Sequence, residues 1–97
     1  MPKLLAFYKR HNDKTFNIRT KNNIKLMEGF TIASFFEVIA QDYKNKRLPS
    51  FEDFYVDITL NWLLEFKNNE PYEYKDWSER SRKEFRRISR EFYVSLI

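Results

Sequence analysis

The chain has no cysteine, one histidine, one glycine and three prolines among its 97 residues. Without cysteine it can form no disulfide, no catalytic thiolate and no cysteine-based zinc site. A single histidine, His11, cannot form a histidine-rich metal site. His11 lies two positions before Asp13, and we interpret it as a turn residue. Because glycine is scarce, turns must depend on Asn and Asp, which tolerate left-handed backbone. The predicted turns are "RHNDK" (10–14), "KNN" (21–23) and "KNNEP" (67–71).

Longer signals are missing as well. No apolar run approaches the roughly 18 residues that span a bilayer, and the chain has no internal repeat. It also has no glycine-rich phosphate loop, no zinc-finger spacing and no aromatic–glycine RNA-binding signature. We therefore predict a single domain over residues 1–97 that is not an enzyme, uses no cofactor or metal, and is cytoplasmic.

Aromatic residues are abundant and the charges are unevenly distributed. Phe, Tyr and Trp make up 19% of the chain, and the formal net charge is only +4. Residues 1–30 contain seven Lys or Arg against two acidic residues, residues 31–74 four against eight, and residues 75–97 seven against four. The net charges are thus +5, −4 and +3. Either the basic ends fold onto the acidic middle, or the protein presents two faces of opposite sign.

The first thirty residues are predicted to be extended. In "TFNIRT" the apolar Phe16 and Ile18 alternate with polar residues, and a period of two is typical of a strand. The predicted fold class is therefore α+β, with a short N-terminal antiparallel β-meander followed by three helices. An all-α small helical domain is the alternative. The solvent face of the meander would carry basic side chains drawn from Lys9, Lys14, Arg19, Lys21 and Lys25.

Helical patterns begin at Thr31, which is placed to cap a helix. Ser50 and Asp53 have capping-box spacing, and the apolar residues 51–66 predict a second helix that is buried on two sides. A third helix is predicted from Asp76 or Ser78 towards the C-terminus. Its inward stripe would consist of Trp77, Ser81, Phe85, Ile88, Phe92 and Leu96.

The outward side of this last helix carries the row Arg82, Arg86 and Arg90, with Lys83 and Arg87 beside it. Local pairs such as Glu79–Lys83 and Arg87–Glu91 would neutralise some of these charges. The arginine row itself has like charges at i,i+4 spacing, which is unfavourable in isolation. A phosphate backbone, an acidic partner or the acidic middle of the same chain should therefore neutralise it.

Two further patterns border this row. Tyr72 and Tyr74 alternate with charges in a connector ending at Trp77, a composition that suits base stacking or a protein interface. The acidic row Asp53, Asp57, Asn61 and Glu65 predicts the solvated edge of a helix or a docking strip for the arginines, in preference to a metal site.

Together these patterns predict a non-enzymatic binding protein that contacts nucleic acid largely through phosphates. The predicted contact residues are Arg82, Lys83, Arg86, Arg87, Arg90, Tyr72 and Tyr74. The alternative is a protein-interaction module or inhibitor, of the kind found in phages and mobile elements, that binds a larger nucleic-acid-handling host protein. The Lys-, Asn-, Ile-, Phe- and Tyr-rich composition favours that alternative.

Overall fold

A computed structural model describes residues 2–25, 31–62 and 73–97; for residues 61 and 62 it describes the backbone alone. Within these ranges the protein has four α-helices: α1 (Pro2–His11), α2 (Ile32–Tyr43), α3 (Phe51–Asp57) and α4 (Glu79–Ser95). α3 continues into a π-helical turn, Ile58–Trp62, and a short 3-10 turn, Tyr74–Asp76, precedes α4. None of the described helices combines the length and apolarity that a bilayer crossing requires.

The predicted N-terminal β-meander is wrong, and the all-α alternative fits. Residues 2–11 form α1, and the described residues contain isolated β-bridges but no strand. Leu4, Phe7, Tyr8 and His11 follow the i, i+3, i+4, i+7 spacing of a helix and pack into the core or against it. Pro2 occupies the first helical position, where its missing N–H costs nothing.

Residues 14–20 are extended, as the alternating pattern indicated, but they do not belong to a sheet. Phe16 and Ile18 are 4% and 3% exposed, whereas Thr15 and Asn17 are exposed to solvent. The backbone pairs with three separate segments: Thr15 bridges to Thr31, Arg19 to Lys25, and Thr20 to Trp77 just before α4. Ser78 N, at the start of α4, donates to Arg19 O at 2.8 Å. The predicted "KNN" turn is confirmed; it ends at Asn23, whose φ of 66° lies in the left-handed region.

The predicted helix starts are confirmed. The side chains of Thr31, Ser50 and Ser78 each accept a hydrogen bond from the backbone N–H three residues later. The second predicted helix is regular α-helix only to Asp57 and continues as the π-helical turn to Trp62. Residues 63–66 of the prediction lie outside the described residues. The second face of this helix is not buried: Val56 and Leu60 are 50% and 58% exposed.

Four fully buried phenylalanines, one from each helix, form the centre of the core. The ring centroids of Phe7 and Phe36 are 5.6 Å apart, those of Phe36 and Phe92 4.5 Å, and those of Phe92 and Phe54 6.0 Å. These spacings are typical of favourable aromatic pairs. The chain of rings fixes α1 and α3 against α4 and so positions the charged surfaces described next.

Candidate nucleic-acid interface

The predicted arginine row faces α3. The Arg86 guanidinium lies 5.1 Å from the ring centroids of both Phe51 and Tyr55, and that of Arg90 lies 5.0 Å from the Phe51 ring. Arg86 also forms an ion pair with Glu52. The hydrogen bond to Glu52 is the main reason that the pKa of Arg86 is raised above its ordinary value. The acidic middle of the chain and two aromatic rings therefore relieve the like-charge repulsion of the row.

Arg82, the first member of the row, is half-buried, and its Nε has no hydrogen-bond partner among the described residues. The acidic row on α3 was predicted as a solvated edge or as a docking strip for these arginines, and its first member, Asp53, is exposed, as the solvated edge requires. Asp57 accepts a hydrogen bond from the Tyr43 hydroxyl at 2.6 Å, and Glu65 lies outside the described residues. Burial and this hydrogen bond raise the pKa of Tyr43. Within the described ranges, no group of three His, Asp or Glu side chains is placed to hold a metal ion.

Lys83 and Arg87 lie on a different face of α4 and are exposed. Two of the three predicted local pairs are confirmed, with Lys83 Nζ 3.1 Å from Glu79 Oε1 and Arg87 Nη1 3.9 Å from Glu91 Oε2. The third, between Arg80 and Glu84, does not form among the described ion pairs, because Glu84 pairs with Arg87. A closer contact joins Arg87 to Glu84 at 2.6 Å. The hydrogen bond from Arg87 holds the pKa of Glu84 below its ordinary value.

The predicted aromatic platform is only partly described. Tyr72 lies outside the described residues. Tyr74 is half-buried; its hydroxyl is 2.8 Å from that of Tyr55, and its ring centroid is 4.9 Å from that of the buried Trp77. The connector thus holds Tyr74 against the core by its ring and its hydroxyl.

A basic surface that the sequence pattern did not assemble runs along the other side of α4. Residues 3–21 lie antiparallel to α4 over its whole length. Arg10 and His11 meet Glu91 in its C-terminal half, and Arg19 N donates to Ser81 Oγ at 2.9 Å near its start. The shallow surface between the two segments is called the basic seam here.

Among the described residues, nine Lys and Arg line the basic seam: Lys3, Arg10, Lys14, Arg19, Lys21, Arg80, Lys83, Arg87 and Arg90. Three acidic residues of the described ranges line it as well, namely Glu79, Glu84 and Glu91. Nine minus three gives the seam a formal charge of +6, compared with +4 for the whole chain. The rest of the chain is therefore net acidic, so the fold brings the basic start and the basic end of the sequence together on one surface.

Glu91 links the two sides of the seam. Its Oε1 lies 2.8 Å from Arg10 Nε and 3.1 Å from His11 Nε2. Burial raises the pKa of Glu91, but the hydrogen bonds from His11 and Arg10 outweigh burial and hold that pKa below its ordinary value. The interpretation of His11 as a turn residue is wrong: it is the last residue of α1, is buried, and lies 4.7 Å from the Phe7 ring. The i,i+4 spacing of Phe7 and His11 is the signal that could have shown this.

The basic seam contains some residues that the sequence predicted and others that it missed. Lys83, Arg87 and Arg90 line it, together with Lys14, Arg19 and Lys21 from the segment predicted as a meander. Arg82 and Arg86 do not line it. The sequence patterns did not predict three members of the seam, Lys3, Arg10 and Arg80. For Lys3 and Arg10, the only sequence signal was the excess of basic residues in positions 1–30.

Comparisons of this chain with protein families, with curated proteins and with solved structures give no match. A proposal about function therefore depends on the geometry and the charge of the described surfaces. The basic seam has the highest concentration of one sign of charge among the surfaces described above.

Proposed function

We propose that this protein is a non-enzymatic binding protein that holds nucleic acid along the basic seam, mainly through phosphate groups. The observation that carries the proposal is the formal charge of +6 on one elongated surface of a chain whose total charge is +4. Such a surface attracts a polyanion and releases its condensed counterions, which supplies binding free energy that does not depend on sequence.

Several cations of the seam are available for phosphates. Among the described residues, no carboxylate forms an ion pair with Lys3, Lys14, Lys21, Arg80 or Arg90. The Arg19 guanidinium donates to the backbone carbonyl of Asn23, 3.2 Å away, which leaves other N–H groups of that guanidinium for a ligand. Contacts of this kind position a protein on a nucleic acid without reading its bases.

The proposal changes the role of the arginine row. Arg86 pairs with Glu52 and contacts two rings of α3, so it serves mainly to attach α4 to the fold. Arg90 contacts Phe51 and also lines the seam, so it lies at the border between the two surfaces. Lys83 and Arg87 keep their predicted role as phosphate contacts.

The test is a titration of labelled duplex DNA, followed by fluorescence anisotropy over a series of salt concentrations. For a net seam charge of +6, log K should fall with log salt with a slope of at most about 5, since each neutralised phosphate contributes about 0.9. The variant Lys14→Glu with Arg80→Glu lowers the seam charge from +6 to +2, so it should reduce the slope by about 3 to 4 and weaken binding at low salt about tenfold or more. Both side chains are exposed, so the fold should survive.

The matched control is Lys44→Glu with Arg47→Glu, which changes the net charge equally in the α2–α3 connection, away from the seam. It should retain most of the wild-type affinity. Equal weakening by both variants would show that only the total charge matters and would refute a localised interface. The proposal also fails if wild-type protein binds no single- or double-stranded DNA or RNA at micromolar concentration in low salt. A stoichiometric protein partner that survives nuclease treatment would favour the protein-interaction alternative instead.

A further inference from the structure

We infer that the basic seam receives double-stranded nucleic acid, with the duplex axis along α4, in preference to an unpaired strand. This inference rests on the proposed function and adds the class of nucleic acid and its orientation. Three properties of the described surface carry it: its length and straightness, its number of charges, and the burial of the aromatic rings.

The length and straightness of the seam come from α4. This helix has 17 residues, so at about 1.5 Å per residue it extends about 25 Å. Residues 3–21 follow it in the opposite direction, from Arg10 beside Glu91 to Arg19 beside Ser81. Duplex DNA is straight over this distance, because its persistence length is about 50 nm. A surface that follows one helix of this length can therefore contact a duplex without bending it.

The number of charges also suits a duplex. Duplex DNA carries one phosphate per about 1.7 Å of axis, so about 25 Å of it presents roughly fifteen phosphates. About half of these lie on the side that faces the protein, which is close to the seam's net charge of +6. An unpaired strand has a lower charge density and releases fewer counterions per phosphate, about 0.7 compared with about 0.9.

Proteins that prefer unpaired strands usually compensate for the lower charge density by stacking bases on exposed aromatic rings, and each stacked base contributes about 1–3 kcal/mol to binding. Every aromatic side chain in the described part of this protein is buried or half-buried. The rings that line the seam, Phe16 and Phe85, are 4% and 1% exposed, and they contact each other at 5.1 Å. They form the floor of the seam and offer no face to a base, so the described surface favours the nucleic acid with the higher charge density.

The experiment compares three ligands of equal length at one salt concentration: duplex DNA, duplex RNA and oligo-dT, which does not pair with itself. We expect at least one duplex to bind about tenfold or more tightly than oligo-dT, with the steeper salt dependence. Oligo-dT binding as tightly as both duplexes would overturn the inference while leaving the proposed function intact. Absence of binding to all three ligands would refute the proposed function itself.

Two single substitutions test the orientation. Lys3 lines the seam beside the C-terminal end of α4, and Lys21 lines it beside the N-terminal end; both are exposed. If the duplex lies along α4, Lys3→Glu and Lys21→Glu should each weaken duplex binding by a similar factor. The control Lys44→Glu makes the same charge change outside the seam. An effect at one end alone, with the other variant equal to the control, would refute a duplex aligned with the helix.

A series of DNA hairpins tests the length. About 25 Å corresponds to about seven base pairs at 3.4 Å per pair. Because binding without sequence preference can use every register of a long stem, the affinity is divided by the number of seven-base-pair registers in each stem. This affinity per register should rise steeply as the stem is lengthened from about four to about eight base pairs and stay constant beyond that. An affinity per register that keeps rising beyond about eight base pairs, or that does not rise at all, would contradict a seam of this size.

Discussion

Replacing Arg86 tests whether the arginine row belongs to the fold or to a binding surface. The guanidinium lies 5.1 Å from the centroids of both the Phe51 and Tyr55 rings and pairs with Glu52. A cation–π contact at an exposed site contributes about 0.5–1 kcal/mol, so the two contacts together contribute about 1–2 kcal/mol. The side chains of the ion pair are 43% and 69% exposed, so that pair adds little, about 0.5 kcal/mol at most.

We therefore expect Arg86→Ala to lower the free energy of unfolding by about 1–2.5 kcal/mol. Arg86→Lys keeps the positive charge but loses the planar group that contacts two rings at once, so it should lower that free energy by roughly 1 kcal/mol. Lys44→Ala removes an exposed lysine that forms no ion pair with a described residue, and it serves as the control. It should change the free energy of unfolding by less than about 0.5 kcal/mol.

The assay is urea denaturation, with a double-mutant cycle between Arg86→Ala and Phe51→Leu, which removes the ring but keeps an apolar side chain. A coupling free energy of about 0.5–1 kcal/mol is expected if the guanidinium and the ring interact as the structure shows. An Arg86→Ala variant as stable as the control, with no coupling to Phe51, would refute this role. Arg86→Lys should bind nucleic acid as the wild type does, because the Arg86 side chain does not line the basic seam.

Two further substitutions test the contacts that join the sides of the seam. Ser81→Ala removes the acceptor of the Arg19 N–H and should cost about 1–3 kcal/mol of unfolding free energy; a loss below about 0.5 kcal/mol in urea denaturation would contradict that bond. For Glu91, the depressed pKa means that its stabilising contribution is present above the ordinary value of 4.5 and is lost as the pH falls through the lower, folded-state pKa. Wild type and Glu91→Gln are compared by urea denaturation from pH 7 downwards. The difference between their free energies of unfolding should be largest at neutral pH and shrink in acid. A difference that does not depend on pH would show that the bonds from Arg10 and His11 do not stabilise the charged carboxylate.

The helix boundaries illustrate what could be predicted locally. Thr31 and Ser50 were predicted as caps because a side-chain oxygen before an apolar periodic run satisfies the free N–H groups of the first turn. The start of the last helix was predicted only as Asp76 or Ser78, and Ser78 is its cap. The inward stripe of α4 was also predicted, and of its six members Trp77, Ser81, Phe85, Ile88 and Phe92 are buried while Leu96 is half-buried. These features depend on residues within a few positions of one another.

The N-terminal segment shows where local patterns fail. The alternation of Phe16 and Ile18 correctly indicated which side chains point inwards, but alternation does not say what the backbone pairs with. Residues 19 and 20 pair locally with Lys25 and Ile24, but they also bond to Trp77, Ser78 and Ser81 at the start of α4, more than fifty positions away in the sequence. In the same way α1 was missed, although Pro2, Phe7 and His11 carry a helical signal, because its ten residues were divided between an apolar run and a predicted turn.

The amino-acid sequence by itself determined that the chain is rich in aromatic residues, lacks cysteine, and has a basic start, an acidic middle and a basic end. It also determined that Arg82, Arg86 and Arg90 share one side of a helix, since that follows from 3.6 residues per turn. Only the tertiary structure decided which charges meet. The chain of buried phenylalanines places α3 against one side of α4, where Glu52 and the rings of Phe51 and Tyr55 contact Arg86. It places residues 3–21 along another side, where basic residues distant in the sequence form one continuous surface.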